Sequence, residues 1–144
     1  KINYYPPCPR ADEVLGIKPH ADGTAVTVLL QDSEVEALQV QKDDVWFRIA
    51  SIPHALFVNV GDQMEIMSNG IFKSAVHKVT TNAKRERISL AMLCCPHPEN
   101  EIGPAQELIN EQNPKLFNNI TNYSKVFFQI DPTDNERPID LLRI

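Results

Sequence analysis

Residues 16–30, GIKPHADGTAVTVLL, are the stretch around which the fold prediction is built. A polar tripeptide, His20-Ala21-Asp22, stands before an apolar run that covers residues 24–30. Valine and threonine dominate that run, and both favour β-strands. The pattern therefore predicts a strand over residues 24–30, and it raises the question of whether the polar residues before it bind something.

Short β-rich runs of the same kind fill the first two thirds of the chain. Residues 1–5 have strand character, and further strands are predicted over 24–30, 35–40, 45–50, 55–60, 63–67, 71–80 and 87–94. Asn69-Gly70 tolerates positive φ and predicts a hairpin between two of these runs. Seven or eight short strands at such even spacing are typical of a sandwich or a jelly roll. We therefore expect a mainly β fold of the double-stranded β-helix (jelly-roll) class.

The composition changes after Pro96-His97-Pro98. Gly103-Pro104 predicts the start of a short helix that reaches residue 111, with proline at its first position. A second helix is predicted over residues 122–130 from apolar residues at helical spacing. The predicted domains are a jelly roll over residues 1–97 and a C-terminal helical extension over 98–144 that packs on the barrel.

The composition excludes some classes of function. The 144 residues are 42% hydrophobic and carry a net charge of -5, which argues against nucleic acid or an anionic membrane as partner. The three cysteines form no C-x-x-C pair, so we expect reduced thiols and a cytoplasmic protein. We also expect a monomer. Because the sequence opens in strand-like residues without an initiator methionine, we expect it to be part of a longer protein whose N-terminal region is absent.

His20 and Asp22 could contribute to a metal site, because side chains two residues apart share one face of a strand. Taken alone, the pair is more typical of polar residues at a strand end. A second imidazole could come from His54, His77 or His97, and the first and last of these lie in proline-containing turns. His77 lies in an alternating run, where it is either a ligand or a solvated surface residue. Two histidines with one carboxylate suit non-haem Fe(II).

Arg87 and Ser89 share a strand face by the same two-residue period. A guanidinium beside a hydroxyl makes a good receptor for a carboxylate, because the guanidinium can form paired charge-assisted hydrogen bonds. Inside a β domain an arginine is costly unless it meets an anion. The alternative is a surface arginine, solvated or paired with Glu86.

Several motifs occur in an order and at intervals that resemble one family. These are INYYPPCP, HAD, LLQD, LQV, NVGDQMEIMSNGIFKSAVHKV and RIS, followed near the end by RPIDLLRI. Together they resemble the oxygenase domain of plant Fe(II)/2-oxoglutarate-dependent dioxygenases, over nearly the whole chain. The branch most resembled is that of specialised metabolism, which includes flavonoid and alkaloid oxygenases.

The resemblance implies roles for individual residues. It implies three Fe(II) ligands: His20, Asp22 and His77. It implies four residues that bind 2-oxoglutarate, with Arg87, Ser89 and Tyr5 at its distal carboxylate and Asn3 towards the carboxylate near the metal. Without the resemblance, Asn3 and Tyr5 would be taken as a strand end with a half-buried aromatic residue. The implied co-substrates are 2-oxoglutarate and O2, with ascorbate as a candidate reductant.

The expected function is oxidation of a small aromatic plant metabolite by hydroxylation, O-demethylation or desaturation, with release of succinate and CO2. Period-two counting along the last strand predicts Leu93 and Cys95 in the substrate pocket, with Phe127 or Phe128 from the second helix as lid contacts. Core packing is the alternative for each.

Ala21, Ala37 and Lys78 depart from the family pattern without removing a ligand. The family's N-terminal region is missing, which puts activity of this piece alone in question.

Two other functions remain open at this point. One is the ethylene-forming type of oxidase in the same superfamily, which uses ascorbate and no 2-oxoglutarate and has a similar Arg-x-Ser. The other is a truncated jelly-roll module that binds metal without turnover.

Overall fold

The computed structural model describes residues 1–129 and 137–144. The last predicted residue of the second helix, Ile130, lies outside the described residues. The chain divides into two compact units. The first contains residues 1–21, 27–59 and 75–93, and the second contains residues 22–26, 60–74 and 94–144. The predicted division into 1–97 and 98–144 stays a prediction.

Two four-stranded sheets form the β framework. The strands are β1 (Ile2–Tyr5), β2 (Leu15–His20), β3 (Val26–Leu30), β4 (Leu38–Lys42), β5 (Val45–Arg48), β6 (Phe57–Val60), β7 (His77–Thr80) and β8 (Arg87–Cys94). One sheet has the order β1-β8-β3-β6 and the other has the order β2-β7-β4-β5. Apart from the β4-β5 hairpin, neighbouring strands are distant in sequence, as in a jelly roll, and the predicted fold class is confirmed.

The core of the first unit lies between these sheets. Its buried residues come from both sheets and from the segment before β4: Tyr5, Leu29, Val35, Ala37, Leu38 and Val79. Gly16 on β2 allows a close approach, since a Cβ at this position would lie 2.7 Å from the Tyr5 ring. Alternate residues on each strand therefore point into one apolar layer, the physical basis of the period-two pattern.

The second unit combines short helices with a small sheet. Helix α1 covers Asp62–Met67 and helix α2 covers Tyr123–Gln129. Strands β9 (Glu101–Ile102) and β10 (Ile120–Thr121) pair antiparallel, and 3-10 helices cover Gln106–Leu108 and Pro138–Leu142. The core of this unit consists of Ile66, Ile102, Phe117, Tyr123 and Ile139. None of the helices in the described part of the chain is long and apolar enough to cross a membrane.

The strand predicted over residues 63–67 is wrong, because these residues belong to helix α1. Asp62 and Glu65 lie in the first turn, where carboxylates are favourable near the positive end of the helix dipole. The hairpin predicted at Asn69-Gly70 is wrong for the same reason. Both residues have positive φ, as expected, but they follow the helix and turn the chain away from it.

Two further predicted elements lose half or more of their length in the structure. The run 71–80 is a strand only at its end, over β7. Residues 71–76 form no strand. The Ser74 backbone N–H donates a hydrogen bond to the Glu65 carboxylate at 2.8 Å and not to a neighbouring strand. The helix predicted to reach residue 111 is a single 3-10 turn over Gln106–Leu108. Tertiary contacts of polar groups override the local pattern at these points.

Candidate metal and co-substrate site

His20 and His77 are cross-strand partners on β2 and β7. Their rings lie 4.3 Å apart between centroids. Ile17 pairs with Val79. The chain thus advances three residues on β2, from Ile17 to His20, while it advances two on β7, from Val79 to His77. Such a bulge re-aims a side chain. It places His20 on the same face as Ile17, which packs against the core.

Each imidazole is oriented by a backbone carbonyl two residues earlier. The Nδ1 of His20 lies 2.9 Å from the Lys18 carbonyl oxygen, and the Nδ1 of His77 lies 3.1 Å from that of Ala75. A carbonyl oxygen can only accept a hydrogen bond, so in each ring Nδ1 carries the proton. The lone pair of each neutral ring is therefore on Nε2. This is the arrangement that fixes metal-ligating histidines in proteins.

Asp22 completes a group of three. Ligand atoms of His20, Asp22 and His77 all lie within 4.8 Å of one another. The sequence had suggested that strand alternation brings Asp22 to the side of His20. Strand β2 ends at His20, so alternation alone does not explain the position of Asp22. Two imidazoles and one carboxylate are a donor set that suits Fe(II) and leaves coordination positions open. The residues present therefore fit the metal.

The segment that carries Asp22 is held by the residues that begin helix α1. All four of its carbonyl groups, in residues 22–25, accept hydrogen bonds from residues 61–63. The backbone N–H of Asp62 donates to the Asp22 carbonyl at 2.8 Å, and the Gln63 amide donates to the Gly23 carbonyl at 2.7 Å. The close approach requires Gly61, because a Cβ there would lie 2.1 Å from the Thr24 carbonyl oxygen.

The four residues expected at 2-oxoglutarate lie on β1 and β8, which pair antiparallel. Asn3 is opposite Ser89 and Tyr5 is opposite Arg87. Arg87 and Ser89 are buried, whereas Ile88 between them is exposed. All four residues therefore share the inner face of one strand pair. Period-two counting predicted this shared face for Arg87 and Ser89.

Arg87 is a buried cation with unused donors. Its Nη1 lies 3.4 Å from the Ser89 hydroxyl, and its guanidinium carbon lies 5.2 Å from the centre of the Tyr5 ring. Its Nε and Nη2 are buried and find no hydrogen-bond partner among the described residues. Burial lowers the pKa of Arg87, against the opposing influence of Tyr5 and Asp32. A carboxylate ligand would satisfy these donors, so the residues fit 2-oxoglutarate.

Asp32 is a charged neighbour that the sequence analysis did not single out. Burial raises its pKa, but backbone N–H groups of Glu34, Val35 and Ile88 and the charge of Arg87 outweigh that effect, and the pKa is lowered overall. Its Oδ1 accepts from Glu34 at 2.8 Å and from Val35 at 3.1 Å. The available signal was the position of Asp32 in the LLQD motif, two residues after the end of β3.

The residues expected in the substrate pocket have different environments. Leu93 and Cys95 are exposed, unlike Arg87 and Ser89 earlier on the same face of the chain. The Phe127 ring covers the backbone next to Asp22, since a Cβ on Gly23 would lie 2.5 Å from that ring. Phe128 is 82% exposed and meets Phe127 edge-on with centroids 5.4 Å apart. Of these side chains, Phe127 therefore contacts a residue next in sequence to the candidate metal ligand Asp22.

Asp62 is a second residue that the sequence analysis did not single out. It is fully buried, and its carboxylate accepts hydrogen bonds from the Tyr123 hydroxyl at 2.9 Å and from Arg137 Nη2 at 2.8 Å. Burial, followed by the charge of Asp62, raises the pKa of Tyr123. The hydroxyl therefore remains a protonated donor. The signal in the sequence was the Gly61-Asp62 pair, which is equally typical of a surface turn.

Comparison with known proteins gives a consistent result. The profile described as the 2OG-Fe(II) oxygenase superfamily matches residues 1–96. The chain is 50% identical over 117 residues to flavonol synthase/flavanone 3-hydroxylase of Eustoma exaltatum subsp. russellianum, covering 81% of this chain and 34% of that protein. It is 41% identical over 146 residues to oxoglutarate-dependent flavonoid 7-O-demethylase 1 of Ocimum basilicum, covering 100% of this chain and 39% of that protein.

A solved structure is similar over nearly the same span. The crystal structure of JOX2 in complex with 2OG, Fe and JA superposes with a TM-score of 0.90 at 39% identity. The match covers 99% of this chain and 43% of that chain. The chain thus spans less than half the length of these relatives.

Proposed function

Because the chain belongs to the 2OG-Fe(II) oxygenase superfamily, we propose that it forms the catalytic domain of an enzyme that oxidises a small, aromatic plant metabolite. The reaction is hydroxylation, O-demethylation or desaturation, with 2-oxoglutarate converted to succinate and CO2. The observation that carries the proposal is the convergence of His20, Asp22 and His77 to within 4.8 Å of one another.

The histidines and the aspartate divide the task of holding the metal. His20 and His77 would present Nε2, since the Lys18 and Ala75 carbonyl groups engage Nδ1 in each ring. Asp22 would supply the single negative charge. When bound, iron supplies the redox chemistry that couples decarboxylation of 2-oxoglutarate by O2 to oxidation of the substrate. All three side chains must be deprotonated at the ligating atom, so metal binding weakens in acid.

Arg87 would bind the distal carboxylate of 2-oxoglutarate. Its buried Nε and Nη2 supply two donors, and the Ser89 hydroxyl beside Nη1 supplies a third. Tyr5 would add its hydroxyl from the opposite strand, and Asn3 would approach the other end of the co-substrate. Because β1 and β8 form a rigid ladder, the receptor is ordered before the anion arrives.

A small aromatic substrate is supported by two lines of evidence. Relatives at 41–50% identity carry the names of flavonoid oxygenases and a flavonoid demethylase. The Phe127 ring lies against Gly23, the residue after the candidate ligand Asp22, and offers an apolar surface for stacking. We assign Leu93, Cys95 and Phe127 to the substrate pocket. We also propose a cytoplasmic enzyme, consistent with three free cysteines.

The test is succinate release from the chain with a panel of phenolic and alkaloid compounds. We expect succinate only when Fe(II), 2-oxoglutarate and O2 are all supplied, and none from His77→Ala. The matched control is His97→Ala, which removes a histidine outside the metal-binding group. Turnover that needs ascorbate but no 2-oxoglutarate would indicate the ethylene-forming type. Metal binding without any turnover would indicate a non-catalytic module.

A further inference from the structure

Asp62 is a buried carboxylate outside the candidate iron and 2-oxoglutarate sites. Its two oxygens are used by different segments of the second unit. Oδ2 accepts from the hydroxyl of Tyr123, the first residue of α2, at 2.9 Å. Oδ1 accepts at 2.8 Å from Arg137, which directly precedes the second 3-10 helix. One carboxylate therefore anchors both of these C-terminal segments.

The backbone of the same residue holds the segment that carries Asp22. The Asp62 N–H donates to the Asp22 carbonyl at 2.8 Å, and the flanking N–H groups of Gly61 and Gln63 bind the carbonyl groups of Ala25 and Thr24. A displacement of Asp62 would therefore be transmitted directly to the Asp22 backbone. Since the carboxylate of a ligand moves with its own backbone, the metal-binding geometry depends on where Asp62 sits.

Helix α2, which binds Asp62 through Tyr123, also contacts the Asp22 segment directly. Phe127, one turn after Tyr123, packs its ring on the backbone at Gly23. The ring centroids of Tyr123 and Phe127 lie 6.3 Å apart, so the two side chains form one surface of the helix. This surface contacts both α1 and the residue after Asp22.

We propose that Asp62, Tyr123 and Arg137 are positioning residues for the metal ligand Asp22. Tyr123 and Arg137 fix the Asp62 carboxylate, and the Asp62 N–H fixes the Asp22 carbonyl. The inference rests on the proposed function in that Asp22 is taken as an iron ligand. Loss of either donor leaves a buried carboxylate oxygen without its hydrogen bond, which loosens the first turn of α1. Asp22 then samples more positions, and metal affinity falls although all three ligands are present.

The experiment is a titration of the chain with Co(II), followed by the visible absorption of the bound ion. Tyr123→Phe should weaken Co(II) binding by about tenfold, the lower end of what loss of an outer-shell partner costs. Arg137→Gln should act in the same direction. The matched control is Tyr4→Phe, which removes a hydroxyl bonded to the exposed Glu86 and should leave Co(II) affinity unchanged.

A second readout separates positioning from general loss of structure. At saturating Co(II), the affinity of Tyr123→Phe for 2-oxoglutarate should equal that of the parent, because Arg87 and Ser89 are untouched. A parallel loss of 2-oxoglutarate affinity would overturn the inference in favour of general destabilisation. Parent-like Co(II) affinity in both Tyr123→Phe and Arg137→Gln would overturn it while leaving the proposed function standing. A parent chain that binds no Co(II) would instead refute the proposed function.

Discussion

His20 and His77 stand directly opposite each other on two antiparallel strands, with their ring centroids 4.3 Å apart. Two protonated imidazoles at this distance would repel each other, whereas a shared cation between neutral rings is favourable. The first prediction is that His77→Ala lowers Fe(II) affinity by more than about 100-fold, since loss of an outer-shell partner alone can cost that much. Anaerobic calorimetry measures it. Parent-like affinity in the variant would contradict the metal assignment, and His97→Ala serves as the control.

Arg87→Gln should raise the KM for 2-oxoglutarate. Loss of one partner from a buried, hydrogen-bonded charge pair costs about 2 kcal/mol or more, which is roughly thirtyfold or more in affinity. The control is Arg85→Gln, because Arg85 forms an exposed pair with Glu34 at 2.6 Å and such pairs contribute little. If both variants shift the KM equally, the buried guanidinium is not the receptor.

Leu93→Trp should change the order of preference among aromatic substrates and leave the KM for 2-oxoglutarate unchanged. Leu93 lies on the Arg87 face of β8 but beyond the buried part of the strand. If it lines the proposed substrate pocket, added bulk there would meet the substrate and not the carboxylate receptor. Leu90→Trp is the matched control, since Leu90 is similarly exposed but points to the opposite face. Competition assays with paired substrates measure the selectivity, and an identical preference in the Leu93 variant would refute the pocket assignment.

Gly61→Ala should destabilise the fold by about 1–3 kcal/mol, the usual effect of forcing an extra methyl group into a packed site. The new Cβ would lie 2.1 Å from the backbone oxygen of Thr24, which cannot move without moving the Asp22 segment. Gly103→Ala is the control, because its Cβ meets the side-chain amide of Asn119 at 2.3 Å, and a side chain can rotate away. Urea unfolding compares the two, and an equal loss would contradict the special role of Gly61.

Asp32 should make the folded state sensitive to acid. Its pKa in the folded state is lowered from 3.8, so its ionised form is favoured by folding. A group of this kind contributes stability above its unfolded pKa, and the contribution is lost as the pH falls through the lower folded pKa. Asp32→Asn should therefore be less stable than the parent at pH 7, and the difference should shrink as the pH falls below about 4. Urea midpoints at both pH values measure it; a constant difference would contradict the assignment.

Much of the fold followed from local pattern. Alternation along residues 87–94 predicted a strand with Arg87 and Ser89 on one face, and strand β8 has these bounds. The helix predicted over 122–130 is observed over Tyr123–Gln129. Both segments bury one face against a core of their own unit, so the period of apolar residues carries the information.

The pattern failed at residues 62–70. Asp62, Gln63 and Glu65 are buried polar residues, and a sequence gives no sign that distant partners such as Tyr123 or Arg143 will satisfy them. Apolar periodicity in such a short segment does not separate strand from helix. The positive φ of Asn69 and Gly70 was predicted, but its use at the end of a helix was not.

By itself, the sequence determined the residue types of the site and the faces of the strands on which most of them lie, because strand alternation is a local property. Only the tertiary structure decided that a bulge before His20 turns it to the face of Ile17 and that His77 lies opposite. It also decided that the N–H groups of residues 61–63 hold the segment after β2, bringing Asp22 to the histidines. Register and loop anchoring depend on pairing between residues that are about 40 to 60 positions apart, and no local pattern contains that information.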